Sequence, residues 1–255
     1  MKKNTLFLIL LMNVSLMGFA QLKEIAYVDG ENKLSGFVSK PSKAVNNKPG
    51  VVIIPAWKGI DDHSKESATE LSKLGYYAFV ADIYGVGNTP TNSKEAGQQA
   101  GYYKKNVLEF QKRIQLAIDE LIKQGANSDE IVVMGYCFGG TGAIEAARSN
   151  MKVKGIVSFH GGLKRDETRT IIPITAKVLV LHGADDPNVP ETEVKIFQDE
   201  MRTANADWQM VYYANAVHSF TNKSSGNDNS KGAAYNEKAA KRSWEALLTF
   251  LKEVL

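Results

Sequence analysis

One cysteine occurs in the 255 residues, and its neighbours give it a chemical role. Cys137 is the middle residue of Gly135-Tyr136-Cys137-Phe138-Gly139, directly after the apolar run Ile131-Val132-Val133-Met134. A strand that ends in Gly-x-nucleophile-x-Gly and runs into a helix makes a sharp elbow, because residues without a Cβ two places either side let the backbone turn and expose the nucleophilic atom. The helix expected over Phe138 to Arg148 would aim the free N–H groups and positive dipole end of its first turn at the sulfur, favouring thiolate over thiol. A lone cysteine is more often a small buried hydrophobe; its place at the elbow favours a nucleophile for acyl chemistry.

A nucleophilic thiol needs a base, and the base needs an acid to fix its tautomer. Of four histidines, His218, in Ala216-Val217-His218-Ser219-Phe220, follows the last expected strand and precedes the last helix, so its imidazole could reach back over the sheet edge. The acid belongs after the preceding strand, in His182-Gly183-Ala184-Asp185-Asp186-Pro187-Asn188-Val189-Pro190. Two carboxylates compete there. The spacing H-G-x-x-D-x-x-V-P selects Asp186 and leaves Asp185 to the turn or to solvent. The chain order nucleophile, acid, histidine is that of α/β-hydrolases.

These residues need a scaffold, and the apolar pattern supplies one. Glu24 to Asp29 and Leu34 to Ser39 flank a turn-rich segment and read as an antiparallel hairpin. Continuous apolar runs follow at Val51–Ile54, Tyr76–Ala81, Ile131–Met134, Gly155–Phe159 and Val178–Leu181, with Trp208–Tyr213 as a sixth strand. Strands without in/out alternation are covered on both faces, as in a parallel sheet. Helices are expected between them at Ser64–Leu74, Tyr102–Lys123, Phe138–Arg148, Thr192–Thr203 and Asn236–Leu255, giving a doubly wound α/β fold. Long loops are expected over 85–100 and 161–176, and a mobile one over 222–233.

The first twenty residues have the form of an export signal: Lys2 and Lys3, an apolar stretch from Leu6 to Met17, then Gly18-Phe19-Ala20 as a small-x-small cleavage site. Asn13 and Ser15 interrupt a stretch already short for a permanent membrane span. The expectation is a periplasmic or secreted domain over residues 21–255, with no stable membrane insertion after cleavage. Without Lys2 and Lys3 the remaining bases and acids nearly balance, and no run of like charge points to nucleic acid as a partner. One cysteine allows no internal disulfide.

Over nearly the whole mature sequence the chain resembles the dienelactone hydrolase family of α/β-hydrolases. The resemblance rests on Val51 to Gly59, Asp82-Ile83-Tyr84-Gly85, Gly135 to Gly140, Phe159-His160-Gly161, His182 to Pro190 and His218-Ser219-Phe220. It implies a triad of Cys137, Asp186 and His218, with an oxyanion hole made by the backbone N–H groups of Phe138 and Trp57. It also implies hydrolysis of a small ester or lactone with no cofactor and no metal. Two positions depart from the family pattern: Ala56 stands where a glutamate lies beside the resting thiol, and Asn222 where an arginine grips the substrate carboxylate. Neutral substrates are therefore expected to do better than carboxylated ones.

The other histidines have plainer readings. His182 is expected to hold its turn by hydrogen bonds, His63 to sit at a helix start capped by acids, and His160 to support the site or line its pocket. Rival functions for the same sequence are a thioesterase or acyltransferase, a non-catalytic binding protein on this fold, and a redox-responsive thiol requiring an outside partner.

Overall fold

A computed structural model describes residues 22–43 and 45–255; the expected export signal lies outside them. Eight strands form one sheet: β1 (Leu22–Asp29), β2 (Asn32–Ser39), β3 (Gly50–Ile54), β4 (Tyr77–Val80), β5 (Ile131–Tyr136), β6 (Gly155–Phe159), β7 (Lys177–Gly183) and β8 (Trp208–Tyr213). Their order is β1-β2-β4-β3-β5-β6-β7-β8. The β1/β2 hairpin is antiparallel and β2 joins β4 antiparallel; every pairing from β4 to β8 is parallel. This is the doubly wound, mostly parallel sheet of an α/β-hydrolase, with the N-terminal hairpin on one edge.

The continuous apolar strands are explained by what covers each face. Along β5, Ile131 and Val133 face one core together with Phe110, Ile114, Leu121, Ala143 and Phe197. Val132, Met134 and Tyr136 face the other, with Ala68, Leu71, Leu247 and Leu251. Helices α1 (Asp62–Lys73) and α6 (Glu237–Val254) thus cover one face, while α3 (Val107–Lys123), α4 (Phe138–Arg148) and α5 (Glu191–Thr203) cover the other. Each fully buried Val, Leu, Ile or Phe contributes about 1.5–3 kcal/mol, so the sheet that carries the site is held from both sides.

Two expectations fail. Residues 85–100 are not all loop, and Tyr102–Lys123 is not one helix: α2 (Ser93–Lys105) comes first, and the chain breaks at Asn106 before α3. Asn92 caps α2 by accepting from the Glu95 N–H, while the Glu95 carboxylate accepts the Thr91 N–H and hydroxyl. Asn106, at φ −101° and ψ 63°, ends it by turning both its backbone and side-chain N–H to the Tyr102 carbonyl. The helix was hidden because its buried face is small and interrupted, only Ala96, Ala100 and Tyr103. The 222–233 segment is a loop, as expected. It holds two short 3₁₀ turns, at 223–225 and 229–231, and folds back so that Ala233 bridges to His218.

Candidate active site

The elbow follows from local sterics. Cys137 lies at φ 55° and ψ −113°, a strained conformation for a residue with a side chain. Its N–H is tied to the Phe159 carbonyl and its carbonyl to the Thr141 N–H, so strand and helix hold the turn from both ends. A Cβ on Gly135 would come within 2.0 Å of the Gly139 carbonyl oxygen, and one on Gly139 within 2.0 Å of that of Ile54. Only glycine fits at either position.

The structure brings the three expected residues together from three separate strand ends. His218 Nε2 is 3.0 Å from Cys137 Sγ, and His218 Nδ1 is 2.8 Å from Asp186 Oδ2. Asp186 is buried, and its other oxygen accepts the Asn188 N–H at 2.9 Å. Asp185 is exposed, and the Asp185 N–H is bonded to the Ala216 carbonyl. His218 is held by its backbone, donating to Gly232 and accepting from Ala234.

Burial alone pushes the Cys137 thiol up, but the hydrogen bond and charge of His218, the Phe138 N–H and the Lys104 ammonium together bring it below the ordinary thiol value. Burial pushes His218 down; its bonds to Asp186 and Cys137 outweigh this and raise it to about 10. Both shifts favour a thiolate–imidazolium pair.

Trp57 and Phe138 supply candidate oxyanion donors. The Ala56 carbonyl accepts the Gly59 N–H at 2.9 Å, which fixes the 56–57 peptide and turns the Trp57 N–H the opposite way. Neither the Trp57 nor the Phe138 N–H is bonded to a backbone carbonyl among the described residues. Tyr84, which sequence reasoning missed, braces this loop by donating from its hydroxyl to the Trp57 carbonyl at 2.8 Å while its ring packs on Phe138.

Around the triad the remaining candidates separate. Ala56 brings no carboxylate to the sulfur. Asn222 is turned into its own turn, accepting from the Ser224 N–H and hydroxyl, and lines a cavity of about 580 Å³ with Asp61, Asp62 and Glu66. On the other side, a cavity of about 390 Å³ is lined by Thr141, Gly162 and Asn188, which follow the ends of β5, β6 and β7, and by Lys104 and Arg169. His63 lies in the first turn of α1, capped by Asp61 and Ser64 as expected, but its ring also reaches Thr221 Oγ1 at 3.1 Å. His160 is fully buried behind the triad. His182 does not hold its turn as expected: among the described residues its buried Nδ1 has no hydrogen-bond partner, and the ring stands edge-on to Tyr212.

Sequence reasoning also missed a buried ion cluster. Arg148 donates to Glu145, to both oxygens of Glu200, and to the carbonyls of Leu163 and Lys164. Glu193 accepts the N–H groups of the same two residues. These bonds anchor the 161–176 loop beside the site. Apart from Glu145, three residues from Arg148 on the same helix, the partners are 15 to 52 residues apart in sequence, beyond any local pattern.

Comparison with known proteins agrees with this geometry. A metagenomic dienelactone hydrolase-like promiscuous phosphotriesterase superposes with a TM-score of 0.87 at 34% identity, over 93% of this chain and 99% of that one. A Bradyrhizobium protein named "Probable 2-oxo-3-(5-oxofuran-2-ylidene)propanoate lactonase" is 26% identical over 234 residues, 88% of this chain and 90% of its own. The sequence profile of the dienelactone hydrolase family matches residues 34–255. With its elbow, strand order and site geometry, the chain belongs to the dienelactone hydrolase family of ester- and lactone-hydrolysing α/β-hydrolases.

Proposed function

We propose that this protein hydrolyses small carboxylic esters or lactones through a covalent thioester on Cys137, with His218 as base and Asp186 as its orienting acid. The observation that carries the proposal is the chain of contacts from sulfur to imidazole to carboxylate, at 3.0 and 2.8 Å. In the resting pair the thiolate attacks the acyl carbon, and the N–H groups of Phe138 and Trp57 receive the developing oxyanion. His218, carrying the proton, delivers it to the leaving alkoxide as the tetrahedral intermediate collapses to the thioester. Now neutral, His218 takes a proton from water, which attacks the thioester; collapse returns the acid product and the thiolate. Asp186 keeps Nδ1 protonated throughout, so that Nε2 always faces the reacting atoms.

Asn222 offers no cation where the family pattern has an arginine, so a substrate carboxylate has no clamp at that position. The cavity that Asn222 lines holds Asp61, Asp62, Glu66 and Glu70 together with Lys223, and Lys104 and Arg169 line the cavity on the other side. The protein acts after export, in the periplasm or outside the cell; the signal-like residues 1–20 support this, and the mass of protein recovered from the producing cell tests it by showing whether the mature chain begins at Gln21.

The deciding experiment is a panel of short and long p-nitrophenyl esters, lactones, thioesters and a phosphotriester on the mature protein, with Cys137→Ala as blank. Esters or lactones are expected to turn over best, with Cys137→Ala inactive and Cys137→Ser keeping a measurable fraction, since the same elbow also serves serine. Full activity in Cys137→Ala would overturn the assignment.

A further inference from the structure

Behind the triad, three side chains from three elements meet at one hydroxyl. Thr221 Oγ1 lies 2.9 Å from His160 Nε2 and 3.1 Å from His63 Nε2. His160 follows β6 at a positive φ of 40°, His63 is on α1, and Thr221 lies three residues after His218. The His160 ring stands edge-on to His218, with centroids 5.3 Å apart, and edge-on to Phe220 at 5.1 Å. The turn joining His218 to Thr221 includes Ser219, also at positive φ (60°), and closes with the Asn222 N–H on the Ser219 carbonyl.

A hydroxyl has one proton and two lone pairs. It can donate to only one of the two rings, so the other ring must donate to it. At least one of the two Nε2 atoms therefore carries a proton. Burial lowers both, His160 strongly, and the positive charge of neighbouring His218 lowers His160 further. The ring neighbours of His160 are His218, Tyr136 and Phe220. His63 packs its own ring on Tyr136 at 4.5 Å, and the Tyr136 hydroxyl pairs with Ser67, which is bonded to the His63 carbonyl. Among the described residues, the hydroxyl of Thr221 is thus the one side-chain group of the His218 turn hydrogen-bonded both to His160, just after β6, and to His63 on α1.

We infer that Thr221, held between His160 and His63, is a positioning residue that fixes the imidazole of His218 on the sulfur of Cys137. The inference rests on the triad reading above. It differs from a packing role because it depends on the hydroxyl and not on the methyl group. Thr221→Val keeps the shape and removes the hydroxyl, leaving both Nε2 atoms without their partner; Thr221→Ser keeps the hydroxyl and loses the methyl.

The test uses the mature protein and two readouts, steady-state kinetics on a p-nitrophenyl ester and the rate of Cys137 alkylation by iodoacetamide at pH 7. A lost buried hydrogen bond corresponds to roughly 10- to 100-fold in rate. Thr221→Val is expected to lower kcat by about that factor with KM changed less than about 3-fold, and to slow alkylation about 5-fold or more, because a sulfur that loses its imidazolium is a thiol for more of the time. Thr221→Ser is expected to restore both. If Thr221→Val does not fold, His63→Phe, which removes one of the two bonds, is expected to lower kcat and alkylation together by a smaller factor. Wild-type kcat and alkylation in Thr221→Val, or in His63→Phe where it must stand in, would overturn the inference, as would a Ser variant as impaired as Val. Failure of the triad reading is seen separately, as activity that survives Cys137→Ala.

Discussion

Asp186→Asn isolates the orienting carboxylate, and the structure makes its cost calculable. In the native site one Asp186 oxygen accepts from His218 Nδ1 at 2.8 Å, and the other accepts the Asn188 N–H at 2.9 Å. An asparagine has one acceptor to offer to two donors. If its oxygen stays on Asn188, its NH₂ faces Nδ1 and imposes the wrong tautomer, with Nε2 protonated and unable to take a proton. If its oxygen faces Nδ1, its NH₂ opposes the N–H of Asn188, an exposed residue, and the charged acceptor supporting the imidazolium is still lost, at about 1–3 kcal/mol. The first outcome has a ceiling near 10⁴-fold in a related triad, about 5.5 kcal/mol; the second alone is about 10- to 100-fold. kcat/KM for a p-nitrophenyl ester is therefore expected to fall about 10²- to 10⁴-fold. Asp185→Asn, at an exposed side chain beside it, should change it less than about 2-fold. Equal mild losses in the two variants, or the reverse ranking, would refute the assignment of the acid.

Three further outcomes follow from other parts of the molecule. Burial lowers His160, His63 and His182, so the folded chain binds fewer protons than the unfolded one: the stability they contribute is full above about pH 6.5 and declines as pH falls below it, by at most ~1.4 kcal/mol per pH unit for each. His218, raised to about 10, has the opposite sign, contributing below pH 6.5 and losing its contribution as pH rises through 10; urea unfolding from pH 8 to pH 5 should show the acid loss, flattened in His160→Gln. Arg148→Met takes the two-pronged partner from buried Glu200, leaving it Arg165 at 3.6 Å, leaves Glu145 with Arg169 at 2.7 Å, and frees the Leu163 and Lys164 carbonyls, with an expected loss of about 3 kcal/mol in chemical denaturation. Finally, a carboxylated lactone should show no kcat/KM advantage over its methyl ester, the roughly 10- to 100-fold that an arginine clamp supplies being absent; a strong preference for the carboxylated lactone would mean that another cation, such as Lys104 in the cavity beside the site, grips the carboxylate.

The sequence made the site legible where its chemistry is local. Gly135 and Gly139 announce the elbow because nothing else fits between strand and helix. The H-G-x-x-D-x-x-V-P spacing picks out Asp186 because the turn after β7 admits one inward carboxylate. The failures share another cause. Helix α2 buries a narrow, small-residue face and so has no strong period. Arg148, Glu145 and Glu200 read as an ordinary charged helix surface until the 161–176 loop closes over them. His182 looked like a turn-holding group because polarity was visible and burial was not. Thr221 gave no signal, since its partners His63 and His160 lie 158 and 61 residues away.

The same distinction bears on how the thiol is kept ready. Cys137 is partly buried, and burial by itself would leave it protonated and inert. The groups that reverse this are local in space but dispersed in sequence: His218 from after β8, Lys104 from the end of α2, and the Phe138 N–H at the start of α4. Both charged groups are positive, and with Ala56 where the family pattern has a glutamate, no carboxylate from that position opposes them. A thiol in this setting does not need substrate to relieve a repulsive neighbour before it ionises. Its reactivity is then set by how firmly His218 is held on the sulfur. On the triad proposed above, the turn from His218 to Thr221, with its hydroxyl bonded to His160 and His63, is the part of the chain that sets this hold.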